Sequence, residues 1–259
     1  MKNQNGATLI VVLVLLLAIT VIGTLAIKNS VVGLSIATNS QAQQLLLQNA
    51  DSAFFSVEKE ENLIQSLTTS GMFGYISGAE NKDKELVFCY RGDKADFFDI
   101  NRASIMQWEG GQSKPTANAM GMDGYCSTST SATSNFFTSG RKAVITQVAV
   151  KYSTQSDADP FYGMQFGSDE KGVKFEKSKP VKVFAVSIMP ALSTADRSKI
   201  DTCFNARMNE VSIPDGTTKP SKVDPIEDDP TKSVTECLSG LNVPYTSHAT
   251  EYVIAQDFT

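Results

Sequence analysis

Few side chains in this sequence are suited to chemistry, and the four cysteines come first. Cys89, Cys126, Cys203 and Cys237 are widely spaced, form no C-x-x-C pair, and share the chain with a single histidine, His248. A thiolate metal centre needs cysteine and histidine clustered at short spacing, so none is expected. An even count beyond an apolar N-terminal segment reads instead as two disulfides formed in an oxidising compartment. Four cysteines allow three pairings. Joining Cys89 to Cys126 and Cys203 to Cys237 is favoured, because each bond then closes a local loop. Closing a loop of that size stabilises a domain by about 4 kcal/mol in the chain-entropy model.

The carboxylates offer a second chemistry. Asp224, Glu227, Asp228 and Asp229 share a loop over residues 214–232 that also holds four of the nine prolines. Clustered oxygens on a loop can ligate calcium, but the spacing fits no EF-hand. A solvated acidic loop is the simpler reading, so no cofactor is assigned and calcium stands as the alternative. Asp93, Asp96 and Asp99, spaced three apart near Lys94 and Arg102, read as a charged surface. His248 lies near Ser247 and Thr250 but has no second histidine or triad context. Residues 110–114, Gly-Gly-Gln-Ser-Lys, lack the spacing of a phosphate-binding loop. No catalytic constellation results, and an enzyme is not expected. The low-complexity run 127–134 reads as a flexible loop open to O-glycosylation. A net charge of −5 with no basic cluster argues against nucleic acid as a partner.

The elements that position these residues are plainer. Residues 7–27 are 21 consecutive residues without a charge. As a helix they span roughly 30 Å, the thickness of a bilayer's hydrocarbon core. The apolar part of a cleaved secretory signal is shorter, about 7–15 residues, and ends at a small-residue site that is missing here. Helical spacing then continues through Leu46, Ala50, Ala53, Val57 and Ile64. The first proline is Pro115. One helix from Ala7 to Thr69 is therefore expected, with Gly23 and Gly33 as soft points and Ser70-Gly71 as the stop. Beyond it, 188 residues (72–259) suffice for one domain with its own core. Strands are expected at 85–90, 143–152, 182–189 and 251–258, a short one from Gln165 and Phe166 before the turn at 167–172, and a short helix at 194–199. An α+β fold follows, in which an antiparallel sheet covers the apolar stripe of the long helix.

Gly6-Ala7-Thr8-Leu9-Ile10, the run of leucines, valines and isoleucines after it, and Gln48-Asn49-Ala50-Asp51-Ser52-Ala53 together resemble the N-terminus of PilX-type minor pilins of the type IV pilus. The likeness covers roughly the first 60 residues. It implies a pilin-like fold and a leader, 1–6, cut by prepilin peptidase between Gly6 and Ala7, with methylation of the new N-terminus. It also implies a membrane and assembly half at 7–27, an amphipathic half at 28–70 and a periplasmic domain at 72–259. A chain of this kind sits in the inner membrane before assembly and on the cell surface afterwards. Its partners are other minor pilins, the major pilin and possible tip adhesins, in pili that serve cell adhesion and twitching motility.

One residue departs from the pattern. Most pilins carry glutamate at the fifth position of the mature chain, where it pairs with the amine of the preceding subunit. Here that position is Val11, and no Asp or Glu precedes Asp51. A subunit with nothing ahead of it needs no such carboxylate. The departure therefore suits a subunit that primes assembly and stays at or near the pilus tip. A tip pseudopilin of a type II secretion system is the alternative. A single-pass periplasmic binding protein with a fortuitous prepilin-like start is a third reading.

Overall fold

The computed structural model describes residues 7–76, 81, 83–92, 97–116, 118–129, 137–138, 143–152, 179–217 and 223–254. Gly6, Asp93, Asp96, most of the serine- and threonine-rich run, the short strand and turn expected at 165–172, and the last residues of the strand expected at 251–258 lie outside them. The chain divides into two compact units, Met1–Gln44 and Leu45–Thr259.

The first unit, as described, is the leading part of helix α1 (Ala7–Glu58). Gly23 and Gly33 lie inside the helix without breaking it. Its apolar side chains are exposed, with Leu9 at 71%, Val11 at 57% and Ile22 at 66%. Among the described residues this is the helix long and apolar enough to cross a membrane.

The second unit holds the end of α1 and everything after it. The single helix expected to Thr69 is corrected here. Lys59 is extended (φ −63°, ψ 127°), and a new helix, α2 (Glu60–Leu67), starts beyond it. The Asn62 side-chain amide donates to the Ser56 carbonyl at 2.7 Å, satisfying an acceptor that the end of α1 leaves open. The break resets the helical phase. Leu46, Ala50, Ala53 and Val57 are buried, but Ile64 is 64% exposed. Helix α3 (Met72–Ile76) follows Gly71, where a Cβ would stand 2.2 Å from the Gln65 carbonyl oxygen. Only glycine permits that approach.

Among the described residues five strands follow: β1 (Lys84–Tyr90), β2 (Ala103–Gln107), β3 (Ile145–Tyr152), β4 (Lys179–Ile188) and β5 (Tyr245–Ile254). They form one sheet in the order β2-β1-β3-β4-β5, every neighbouring pair antiparallel. Strand alternation sends Leu86, Phe88, Val148, Val150, Val181 and Val183 into a core with Ala53, Phe54, Val57, Phe73 and Ile76. This is the stripe-on-sheet packing expected of an α+β pilin-like fold.

The sheet's other face is covered as well, which the expected two-layer arrangement does not provide for. Val87 and Ala149 pack with Met106, Trp108, Tyr125 and Met208. Ile145, Val186 and Ile188 pack under helices α4 (Arg197–Asn205) and α5 (Val234–Gly240). Strand β3 is consequently buried on both faces from Ile145 to Lys151. Helix α4 starts at an Asp196 cap, later than the helix expected at 194–199. Strand β5 begins at Tyr245 rather than 251. Strand β2 and helix α5 are unanticipated.

Candidate functional site

The N-terminal site residues lie on or beside α1. Ala7 is the first residue of the helix, and Val11 stands one turn in, exposed among other exposed apolar side chains. From Leu9 to Ile27 the helix offers no ionisable group. Such a surface forms van der Waals contacts with lipid or with other apolar helices and no ion pair.

Further along, α1 is fastened to the sheet by polar contacts. Asp51 Oδ1 lies 3.3 Å from His248 Nδ1 on β5, and the His248 ring lies beside Phe54 with centroids 6.3 Å apart. The Tyr90 hydroxyl meets the Ser52 and Ser56 hydroxyls at 3.2 and 2.9 Å. The Tyr252 hydroxyl donates to Glu58 Oε1 at 2.9 Å. Burial, the bond to Glu58 and the Glu58 charge all push the Tyr252 phenol up, so it keeps its proton and its role as donor. His248 is thus a contact of the helix-sheet junction. Asp51 and Glu58 are seven residues apart, two helical turns, and so share a face. That spacing is readable in the sequence, but its meaning depends on β5 lying beside it.

On the opposite face, polar side chains in the middle of the sheet hold the later loops. Glu85 is fully buried and accepts from Asn209 N–H (2.9 Å), the Asn209 side-chain amide (3.1 Å) and Glu210 N–H (2.8 Å). Burial raises its carboxyl above the ordinary range, against the opposing pull of these bonds and of Lys151. Lys151 donates to the Glu210 carbonyl at 3.0 Å, and Lys182 pairs with the Glu210 carboxylate at 2.9 Å. Gln147 accepts from Cys126 N–H at 3.0 Å and donates to the Phe204 carbonyl at 3.2 Å. Asp201 accepts from the Ser127 hydroxyl and from the Thr128 N–H and hydroxyl. Two disulfides complete the fastening. Cys89–Cys126 ties β1 to the loop after β2, and Cys203–Cys237 ties α4 to α5.

The acidic loop has other employment than calcium. Asp229 is buried and accepts from the Thr231 N–H and hydroxyl at 2.9 and 2.7 Å. Asp228 and Asp229 act on the buried Arg207, whose guanidinium donates to the Glu227 carbonyl at 2.9 Å. The Glu227 carboxylate lies 3.9 Å from Lys199. Among the described residues no three acidic, cysteine or histidine side chains gather as a metal site. Asp228 and Asp229 thus lie near an internal cation, and Asp224 and Asp228 are exposed, as a solvated acidic loop would have them. Asp99, from the charged run, accepts from Asn101 N–H as the cap of a short 3-10 turn.

Residues 5–55 match the family model described as PilX N-terminal. No curated protein and no solved structure matches the chain.

Proposed function

Residues 5–55 match the PilX N-terminal family, and from that match we propose that the chain is a minor pilin of the type IV pilus that primes pilus assembly and remains at the tip. The observation that supports this reading is Val11, with no Asp or Glu before Asp51. An unpaired carboxylate inside a membrane helix is costly, by about 2.5–3.5 kcal/mol at the helix centre on insertion scales and less toward its ends. A shaft subunit recovers that cost by meeting the amine of the subunit ahead. A subunit with none ahead is better served by an apolar residue.

The proposed sequence of events uses this chain's own groups. The helix from Ala7 to Ile27 holds the subunit in the inner membrane, with the domain over 72–259 in the periplasm. Prepilin peptidase removes 1–6 and frees the Ala7 amine. That amine then serves the glutamate of the next subunit. During assembly the uncharged helix exchanges lipid contacts for contacts with neighbouring helices. The amphipathic half, 28–70, and the folded domain present surfaces to other minor pilins, the major pilin or an adhesin. The role is structural rather than catalytic.

The test is N-terminal mass analysis joined to immunogold labelling. The mature chain should begin at a methylated Ala7, and label should concentrate at filament ends. Intact Met1, or a cut beyond Ile27, would overturn the pilin reading. Even labelling along the shaft would overturn the tip placement alone.

A further inference from the structure

The two edges of the sheet are treated differently. Strand β2 has five residues, and the chain after it folds back onto it. Thr116 N–H donates to the Gln107 carbonyl at 3.1 Å, Gly124 N–H donates to the Ser104 hydroxyl at 2.9 Å, and Trp108 and Tyr125 are buried against it. Strand β5 has ten residues in unbroken register with β4, from Ile188↔Tyr245 to Lys179↔Ile254. Among the described residues its backbone pairs with β4 and with no second strand. Proteins protect such an edge with lysine, proline, a bulge or a covering element. Residues 245–254 contain no lysine, arginine or proline, and the register shows no bulge.

The side chains along this edge say what would fit it. Ser247, Ala249, Glu251 and Val253 stand on the face away from α1, and Val253 is 67% exposed. His248, Thr250 and Tyr252 stand on the α1 face. Behind them lie Asp51 and Glu58, both exposed carboxylates, one against His248 and the other against Tyr252. His248 and Tyr252 are four residues apart, about 13 Å along a strand. Asp51 and Glu58 are seven apart, roughly 10 Å along a helix. A strand laid beside β5 would bring every second side chain toward these two acids. Lys182 and Glu210 face the other side and pair with each other there.

We propose that β5 accepts an extended segment of another pilus subunit as a sixth strand, with basic residues at two positions four apart facing α1 and apolar residues between. Main-chain bonds would supply affinity, and Asp51 and Glu58 would supply choice of partner. That the partner is a pilus subunit rests on the pilin reading; the strand chemistry does not.

The probe is a synthetic peptide, acetyl-Thr-Lys-Val-Thr-Val-Lys-Val-Thr-amide, added to the full chain in detergent micelles. Amide exchange followed by mass spectrometry should slow across 245–254 by about tenfold at saturation, with β1 and β3 unchanged. A peptide with glutamate in place of both lysines should give no protection. The isosteric double variant Asp51→Asn with Glu58→Gln should weaken binding of the lysine peptide by about threefold to tenfold. Absence of protection at β5, equal protection by the glutamate peptide, or an unweakened double variant would each overturn the proposal. None of these results depends on N-terminal processing or tip labelling, so either reading can fail alone.

Discussion

The Glu85 carboxylate on β1 accepts the backbone N–H of Glu210, 125 residues later in the chain, at 2.8 Å. Its second oxygen accepts the N–H of Asn209. A fully buried acid thus holds the loop after α4 against the middle of the sheet. Glu85→Gln keeps the shape but turns one of the two acceptors into a donor facing a donor. We expect a loss of about 1–3 kcal/mol, the cost of an unmet buried polar group. Thermal unfolding of the full chain in detergent would measure it. A Tm unchanged from wild type would show that the loop is held by other means.

Asp229 should make stability depend on acid. Burial opposes its ionisation, but the two bonds from Thr231 and the Lys232 charge outweigh burial and hold the carboxyl below its ordinary value of 3.8. A group depressed in the folded state contributes stability above its unfolded value and loses it as pH falls through the folded one. Asp229→Asn should therefore cost about 1 kcal/mol near neutrality, where two charge-assisted bonds become neutral ones. The gap between variant and wild type should close as pH drops below 3.8. Unfolding curves between pH 7 and pH 3 would show it. A gap that stays constant would assign the loss to packing alone.

Cys203 and Cys237 lie buried beside Phe204 and Leu238, joining α4 to α5 across 34 residues. Replacing both with serine removes the cross-link and leaves two hydroxyls in an apolar layer. The expected loss is about 2–5 kcal/mol. Peptide mapping without reductant, followed by unfolding of the double variant, checks the bond and its worth together.

Local patterns carried much of this fold. The apolar run from Ala7 needs no tertiary partner to be recognised, and Val87 or Val148 mark their strands by composition. Strand β2 is harder, because Ala103, Ser104 and Gln107 are ordinary residues, and Ala103 and Ser104 are buried only once the domain has folded. Helix α5 was not expected, although it carries a local signal, the Ser233 to Glu236 capping box with both reciprocal bonds present. The break at Lys59 has no proline or glycine to announce it and depends on Asn62 reaching back to Ser56. The acidic loop is legible only in part for a similar reason. Its carboxylates are drawn to Arg207, Lys199 and Thr231, two of which come from elsewhere in the chain. The junction of Asp51 with His248 and of Glu58 with Tyr252 likewise exists only once β5 lies along α1.

If the subunit caps the filament as proposed, Val11 is the residue that sets it apart from a shaft subunit. A cap needs the free Ala7 amine, which the next subunit's glutamate seeks, but has no amine ahead of it to neutralise an acid of its own. Val11→Glu therefore introduces a carboxylate without a partner. In an apolar setting such a group shifts toward its protonated form or folds back on its own N-terminus. Piliation should be unchanged or slightly reduced, and the labelled subunit should stay at filament ends. Blocking cleavage with a bulky residue in place of Gly6 withholds the Ala7 amine and should abolish the subunit's contribution to pilus number. The two variants thus separate the two ends of one expected ion pair. If Val11→Glu spreads the subunit along the shaft without loss of pili, and wild-type label already decorates the shaft evenly, Val11 is an incidental apolar residue and the subunit does not cap the filament.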